Sequence, residues 1–128
     1  MPILLDTSVA ILVRDGHAPT LRRLAELQTG AVMSAITLVE LEGSILRDPK
    51  NAQIRRARLD DMLLYIPVLP FERATADLYR RIVEAAGYSR HKIIDRMIGA
   101  QALARGMVLA TLNPADFAHI PGLQIEAW

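Results

Sequence analysis

The stretch that decides the fold class is Met1-Pro2-Ile3-Leu4-Leu5-Asp6-Thr7-Ser8. Its three consecutive aliphatic residues lack polar alternation, which is typical of a short strand buried on both faces of a parallel sheet. The run ends at Asp6, and because Asp, Thr and Ser are all favoured helix caps, we expect the strand to pass directly into a helix. Asp6 would then lie at the carboxyl end of a central strand, where open α/β sheets form their sites.

The same passage from strand to helix recurs along the chain. Apolar runs predict further strands at about 31–33, 66–70, 107–110 and 123–125, and the two prolines of the second of these favour a place near the sheet edge. Helical spacing predicts helices over about 7–14, 19–29, 36–47, 52–65, 71–87 and 93–105. This alternation favours a parallel sheet with right-handed crossovers.

Composition narrows the class of protein. A length of 128 residues is typical of one domain, and no apolar run approaches the roughly 20 residues that span a bilayer. The absence of cysteine excludes disulfides, zinc-thiolate sites and cysteine nucleophiles, and makes the cytoplasm the expected location. All but two of the 15 basic residues are Arg, which suits phosphate contacts but is equally explained by genomic base composition.

Acidic side chains are expected to meet at one edge of this sheet. Asp6 and the turn 113–116 each follow a strand, while Asp95 and either Glu40 or Glu42 project from flanking helices. Helix capping, the helix dipole and ordinary surface exposure are the structural alternatives. Four carboxylates in one cleft repel one another unless a cation neutralises them, and an all-oxygen site suits Mg²⁺ or Mn²⁺. The expected chemistry is hydrolysis of a nucleic-acid phosphodiester.

Other site chemistries lack their sequence patterns. The chain has neither the GxGxxG nor the GxxxxGK[ST] phosphate loop, and it has no GxSxG nucleophile elbow. His17, His91 and His119 are scattered without metal-ligand spacing, and we expect them to be surface residues. A phosphoacceptor receiver domain would need a Lys after a late strand, and neither Lys50 nor Lys92 follows one. We therefore favour the acidic metal site.

Five segments, in order along the chain, resemble PIN-domain ribonucleases of the VapC toxin branch, found in bacterial and archaeal toxin–antitoxin pairs. They are 4–8, 34–41, 95–100, 111–117 and 121–128. The resemblance implies a single PIN-like domain over 1–128, with a three-layer α/β/α fold and a central, mainly parallel sheet. It also implies a Mg²⁺-dependent endoribonuclease in which Mn²⁺ is a possible substitute.

The resemblance assigns the metal-binding and catalytic acids. Asp6, Glu40 and Asp95 match the three acids of the family motif, which favours Glu40 over Glu42. Gly43 follows Glu40 by three residues where family members commonly have four, so Glu42 stays open. The fourth acid of the family lies either directly after the strand end or three residues later; Asn113 occupies the first position, which favours Asp116.

Supporting polar groups and partners follow from the same resemblance. The supporting polar groups would be Thr7, Ser8, Thr111 and Asn113. Independently of the resemblance, basic residues near the cleft would position RNA phosphates, and the first candidates are Arg47, Arg90, Lys92 and Arg96. The implied partners are the RNA substrate, a VapB-type antitoxin, a second copy in a homodimer and, through the antitoxin, operator DNA. No membrane partner is expected. A catalytically silent PIN-like RNA-binding module is the alternative.

Overall fold

A computed structural model describes all of the chain, Met1–Trp128, around a five-stranded sheet in the order β3-β2-β1-β4-β5. Every neighbouring pair of strands is parallel, as predicted. The strand built from the first residues occupies the centre. The strands are β1 (Ile3–Leu5), β2 (Ala31–Ser34), β3 (Val68–Leu69), β4 (Leu109–Thr111) and β5 (Ile125–Ala127).

Six helices connect the strands, and three short 3₁₀ turns lie at 49–51, 90–92 and 114–116. None of the helices has both the length and the apolar character needed to cross a membrane. The helices are α1 (Thr7–Arg14), α2 (Ala18–Ala25), α3 (Ala35–Arg47), α4 (Ala52–Met62), α5 (Arg73–Ala86) and α6 (Ile93–Arg105).

Strand β1 is buried on both faces, which confirms the interpretation of its aliphatic run. Leu4 and Leu5 are both 0% exposed. Leu5 packs in a core that includes residues of α1, α3 and α4, whereas Leu4 packs in a second core that includes residues of α5 and α6. Because successive side chains of a strand point to opposite faces, the sheet separates two helical layers. The three-layer α/β/α arrangement is thus confirmed.

The predicted ends of several elements are shifted. Helix α2 ends at Ala25 rather than near residue 29, and the amide of Leu27 then bonds to the carbonyl of Leu24 in a tighter turn. Helix α4 ends at Met62 rather than 65, and the amides of Leu64 and Tyr65 then bond to the carbonyls of Asp61 and Met62 in tighter turns. The predicted edge position of the third strand is confirmed.

The last strand lies two residues later than predicted, at Ile125–Ala127 rather than 123–125. Its register is set by pairing with β4, which aligns Thr111 with Ala127. Leu123 instead packs under α6 at the end of the turn that leads into the strand. Hydrophobicity alone could not show this, because both segments alternate in the same way.

Candidate active site

The carboxylate of Asp6 is held rigidly at the end of β1. Only 5% of the residue is exposed, and Oδ1 accepts hydrogen bonds from the amide of Val9 at 3.0 Å and from Ser8 Oγ at 2.6 Å. Thr111 Oγ1 donates to Oδ2 at 2.5 Å. Asp6 therefore does cap α1, as the structural alternative supposed, but an ionised carboxylate has about four lone-pair sites and three donors leave room for a further ligand.

Two hydroxyl groups join the ends of β1 and β4 around Asp6. Thr111 Oγ1 also accepts the amide of Asn113 at 3.0 Å, and Ser8 Oγ accepts the amide of Leu112 at 3.2 Å. Because each hydroxyl both donates to the carboxylate and accepts a backbone N–H, its proton is directed toward Asp6. Ser8 and Thr111 thus lie beside the acid that they were expected to support, whereas Asn113 contributes its backbone amide.

A hydrogen bond from Thr7 of α1 orients the side chain of Glu40 near the end of β1. Thr7 Oγ1 lies 2.5 Å from Glu40 Oε1 and donates to it, and Thr37 Oγ1 lies 3.1 Å from the same hydroxyl. These threonines face each other across α1 and α3, which pack together. Glu42, two residues along α3, forms an ion pair with Arg56 of α4 instead. Of the two glutamates left open by the helical pattern, only Glu40 lies with Asp6.

Asp95 has a raised pKa because it is partly buried among other acids. Desolvation and the negative charges of Asp116, Asp6 and Glu40 together raise its pKa to about 6, while the ammonium group of Lys92 acts in the opposite direction. Asp95 lies in the first turn of α6, which brings its side chain to the carboxyl ends of the strands. The four predicted carboxylates therefore converge closely enough to interact electrostatically.

Asp116 is the strongest of the neighbouring charges that act on Asp95. It is exposed, in the 3₁₀ turn that directly follows Asn113. The carboxylate of Asp116 lies close enough to the partly buried Asp95 for their charges to interact. This placement favours Asp116 over Asn113 as the fourth acidic group.

The candidate phosphate-binding residues differ in their surroundings. Arg47 is exposed and lines an open depression with Glu40, Arg90 is exposed in the 3₁₀ turn before α6, and Lys92 lies near Asp95. Arg96, by contrast, is only 3% exposed, and its guanidinium donates to His119 Nε2 at 3.0 Å and to the carbonyl of Gly87 at 2.7 Å. Because these donors are committed to protein acceptors, we withdraw Arg96 from the phosphate candidates.

Sequence reasoning missed two residues next to the acids. His119 was interpreted as a surface residue, yet it accepts a hydrogen bond from Arg96, 23 positions earlier. Thr37 was assigned no role, yet its hydroxyl lies beside that of Thr7. Neither contact leaves a local pattern, because each joins helices or turns that are distant in the sequence. The only signal in the sequence for Thr37 was its position three residues before Glu40, on the same face of the predicted helix.

The acids fit a hard divalent cation that retains water. No three His, Asp or Glu side chains stand close enough in this geometry to enclose an ion by themselves. Mg²⁺ typically takes only one or two carboxylates directly and keeps several waters, so a site of this openness suits it. The donors are all oxygen, and the raised pKa of Asp95 reflects negative charge without a full counterion. Asp6, Glu40, Asp95 and Asp116 would hold the ion.

Comparison with known proteins agrees with this architecture. The PIN domain family model matches residues 3–123. The chain is 30% identical to ribonuclease VapC1 of Rickettsia felis, over 98% of this chain and 95% of the relative. It is 26% identical to the tRNA(fMet)-specific endonuclease VapC of Shigella flexneri, over 100% of this chain and 98% of the relative.

A solved structure of DNA-bound VapBC from Salmonella typhimurium has the same fold. The TM-score is 0.82 at 25% identity, with 100% of this chain and 98% of the other covered. The matched region of the family model includes Asp6, Glu40, Asp95 and Asp116. The chain therefore belongs to the PIN domain family, in the VapC branch that its sequence resembles.

Proposed function

We propose that this protein is a Mg²⁺-dependent endoribonuclease and the toxin of a type II toxin–antitoxin pair. The observation that carries the proposal is the convergence of Asp6, Glu40 and Asp116 on the partly buried Asp95. Such a concentration of negative charge is unfavourable in a free protein and becomes favourable once a cation binds. The names of its relatives as ribonucleases support RNA as the substrate class.

Each acid has a distinct part in this proposal. Asp6, fixed by three donors, sets the position of the ion, and Glu40 is oriented by Thr7. Asp95 and Asp116 complete the negative surface. When bound, Mg²⁺ or Mn²⁺ supplies a more acidic water and stabilises the departing oxygen of the phosphodiester. The side chains themselves bind and orient, so their replacement by amides should abolish turnover while preserving the fold.

Basic residues around the acids would position the RNA backbone. Lys92 lies near Asp95, where its ammonium group opposes the rise in the pKa of that carboxyl. Arg47 and Arg90 are exposed on either side, on α3 and in the turn before α6. Phosphate contacts of this kind hold a substrate in register without reading its sequence. Replacement of these residues should raise KM more than it lowers kcat.

The proposed partners are a VapB-type antitoxin and a second copy of this chain. The solved VapBC relative is a DNA-bound complex, which supports an antitoxin that in turn binds operator DNA. On this chain α3 exposes Val39 (69%) and Leu46 (81%), and the residues after α4 expose Leu64 (84%). We propose that these side chains belong to the surface that contacts a partner chain. We place the protein and its RNA substrate in the cytoplasm.

A pair of isosteric variants on one helix tests the function. Purified antitoxin-free protein is incubated with a panel of RNAs that includes structured tRNAs, in Mg²⁺, Mn²⁺ or EDTA. We expect metal-dependent cleavage by wild type and by Glu42→Gln, and loss of roughly 100-fold or more in Glu40→Gln, on the scale of a lost catalytic electrostatic group. Equal loss in both variants, or in neither, would contradict the assignment of Glu40.

A further inference from the structure

The two acids on the open side of the site come from segments that do not adjoin in sequence. Asp95 lies on α6, whereas Asp116 lies in the turn after β4. Asp116 is exposed, and its own turn makes no hydrogen bond to α6. A directional contact between α6 and this segment must therefore come from another residue.

Arg96 makes that contact, directly after Asp95. Its Nε donates to His119 Nε2 at 3.0 Å, three residues beyond Asp116. Two consecutive turns join these positions, with the amide of Phe117 bonded to the carbonyl of Pro114 and that of Ile120 to the carbonyl of Phe117. Because the intervening backbone is folded on itself, fixing His119 also fixes Asp116.

Apolar packing brings the two segments close but does not set their register. Phe117 and Ile120 are buried beneath α6, where Gly99 lets the turn approach so closely that an added Cβ would lie 2.6 Å from Ile120 Cδ1. Such packing is non-directional, whereas a hydrogen bond to a guanidinium fork fixes both distance and angle. The polar contact is thus the directional element of this interface.

The hydrogen bond between Arg96 and His119 leaves one buried polar group of the folded protein without a partner. Nε2 of His119 accepts from Arg96, so the ring proton lies on Nδ1, which is buried and has no acceptor. Burial, together with the neighbouring cations Lys92 and Arg96, lowers the pKa of His119, consistent with a neutral ring. A buried unpaired donor opposes folding, so stability alone does not explain this pair.

We propose that Arg96 and His119 form a positioning pair that holds Asp116 at the distance from Asp95 required for both to act on one divalent cation. Arg96 also donates to the carbonyl of Gly87, at the start of the loop that carries Lys92. The buried guanidinium of Arg96 therefore positions both Asp116, through His119, and the loop that carries Lys92, through Gly87. The inference rests on the proposed function, since it concerns the metal of that site.

The test is Mn²⁺ affinity, measured by titration calorimetry on the metal-free protein. His119→Leu removes the acceptor, and we expect the dissociation constant for Mn²⁺ to rise roughly 10-fold or more, as for other residues that orient metal ligands. His119→Gln can present an amide oxygen near the place of Nε2, so it should retain nearly wild-type affinity. His91→Leu removes an exposed histidine of the neighbouring turn and should leave the affinity unchanged.

A double-mutant cycle separates positioning from general damage. Arg96→Met should weaken Mn²⁺ binding at least as much as His119→Leu does, because it also removes the contact with Gly87. The double variant should be no weaker than Arg96→Met alone, because both substitutions remove the contact between Arg96 and His119. Unchanged affinity in His119→Leu, or equally weak binding in His119→Gln, would overturn the inference. Failure of the wild-type protein to bind Mn²⁺ would overturn the proposed function as well, so the two failures are distinguishable.

Discussion

Replacement of Asp95 by an amide should stabilise the metal-free protein at alkaline pH. The folded structure raises the pKa of this carboxyl from 3.8 to about 6, through burial and the charges of Asp116, Asp6 and Glu40. The folded state then binds the proton more tightly than the unfolded state does. Stability from this group is present below pH 3.8 and is lost as the pH rises through about 6.

The size of the effect follows from the shift. A rise from 3.8 to about 6 corresponds to about 3 kcal/mol, at about 1.4 kcal/mol per pKa unit. Solvent screens a half-buried group, so we expect about 1–2 kcal/mol in practice. Because an amide does not ionise, the Asp95→Asn variant should exceed wild type by this amount at pH 8 but by only about half to two-thirds of it at pH 4.5.

Urea unfolding in EDTA, at pH 8 and pH 4.5, measures this difference in the free energy of unfolding. Asp77→Asn, on an exposed position of α5, is the control and should show no comparable pH-dependent gain. Saturating Mg²⁺ should then reverse the order at pH 8, because it stabilises wild type more than Asp95→Asn. If Asp95→Asn is no more stable than wild type at pH 8, or gains equally at both pH values, the carboxylates do not interact as described.

Further substitutions test the framework of the site, each by urea unfolding. Thr111→Val removes the donor to Asp6 Oδ2 and the acceptor of the Asn113 amide, and should lower the free energy of unfolding by about 1–3 kcal/mol. Thr111→Ser keeps the hydroxyl and should lower it less. Equal losses in the two variants would contradict the role of the hydroxyl. Gly99→Ala should cost about 1–3 kcal/mol because its Cβ meets Ile120, while Gly43→Ala, with open space around it, should gain about 0.5–1 kcal/mol. The close approach of α6 would be refuted if both glycine variants were stabilised.

Local patterns predicted the sheet and the elements on which the candidate acids lie. The unbroken aliphatic run before Asp6 indicated a strand buried on both faces, and Leu4 and Leu5 are indeed fully enclosed. Strand ends and first helical turns are local features, so the sequence also predicted where Asp6 and Asp95 lie along their elements. The sequence therefore predicted which helix, strand end or turn carries each acid.

Contacts between distant segments were beyond local patterns. The helical spacing of α3 left Glu40 and Glu42 both open, and the choice depends on Thr7, 33 residues before Glu40. Arg96, beside Asp95, was expected to contact RNA phosphates because basic residues near the acids suit that role. Its burial follows from acceptors at Gly87 and His119 that no short-range pattern reveals.

The end of the chain illustrates the same limit for backbone register. Segments 123–125 and 125–127 both alternate in polarity, so hydrophobicity did not distinguish them. Pairing with β4 selects the later segment, and the amide of Trp128 then bonds to the carbonyl of Thr111 at 2.9 Å. Register was decided by a strand partner and not by the strand's own sequence.

The most direct test of the central claim is RNA cleavage by the wild-type protein and by Asp6→Asn, with metal removed and restored. Asn is also a good helix cap, so this variant should keep α1 while it loses the fixed carboxylate. We predict cleavage by wild type in Mg²⁺, none in EDTA, recovery when Mg²⁺ is restored, and none by Asp6→Asn in any condition. Cleavage that persists in EDTA or in Asp6→Asn, or RNA that is bound but never cut with either metal, would contradict the proposed metal-dependent nuclease.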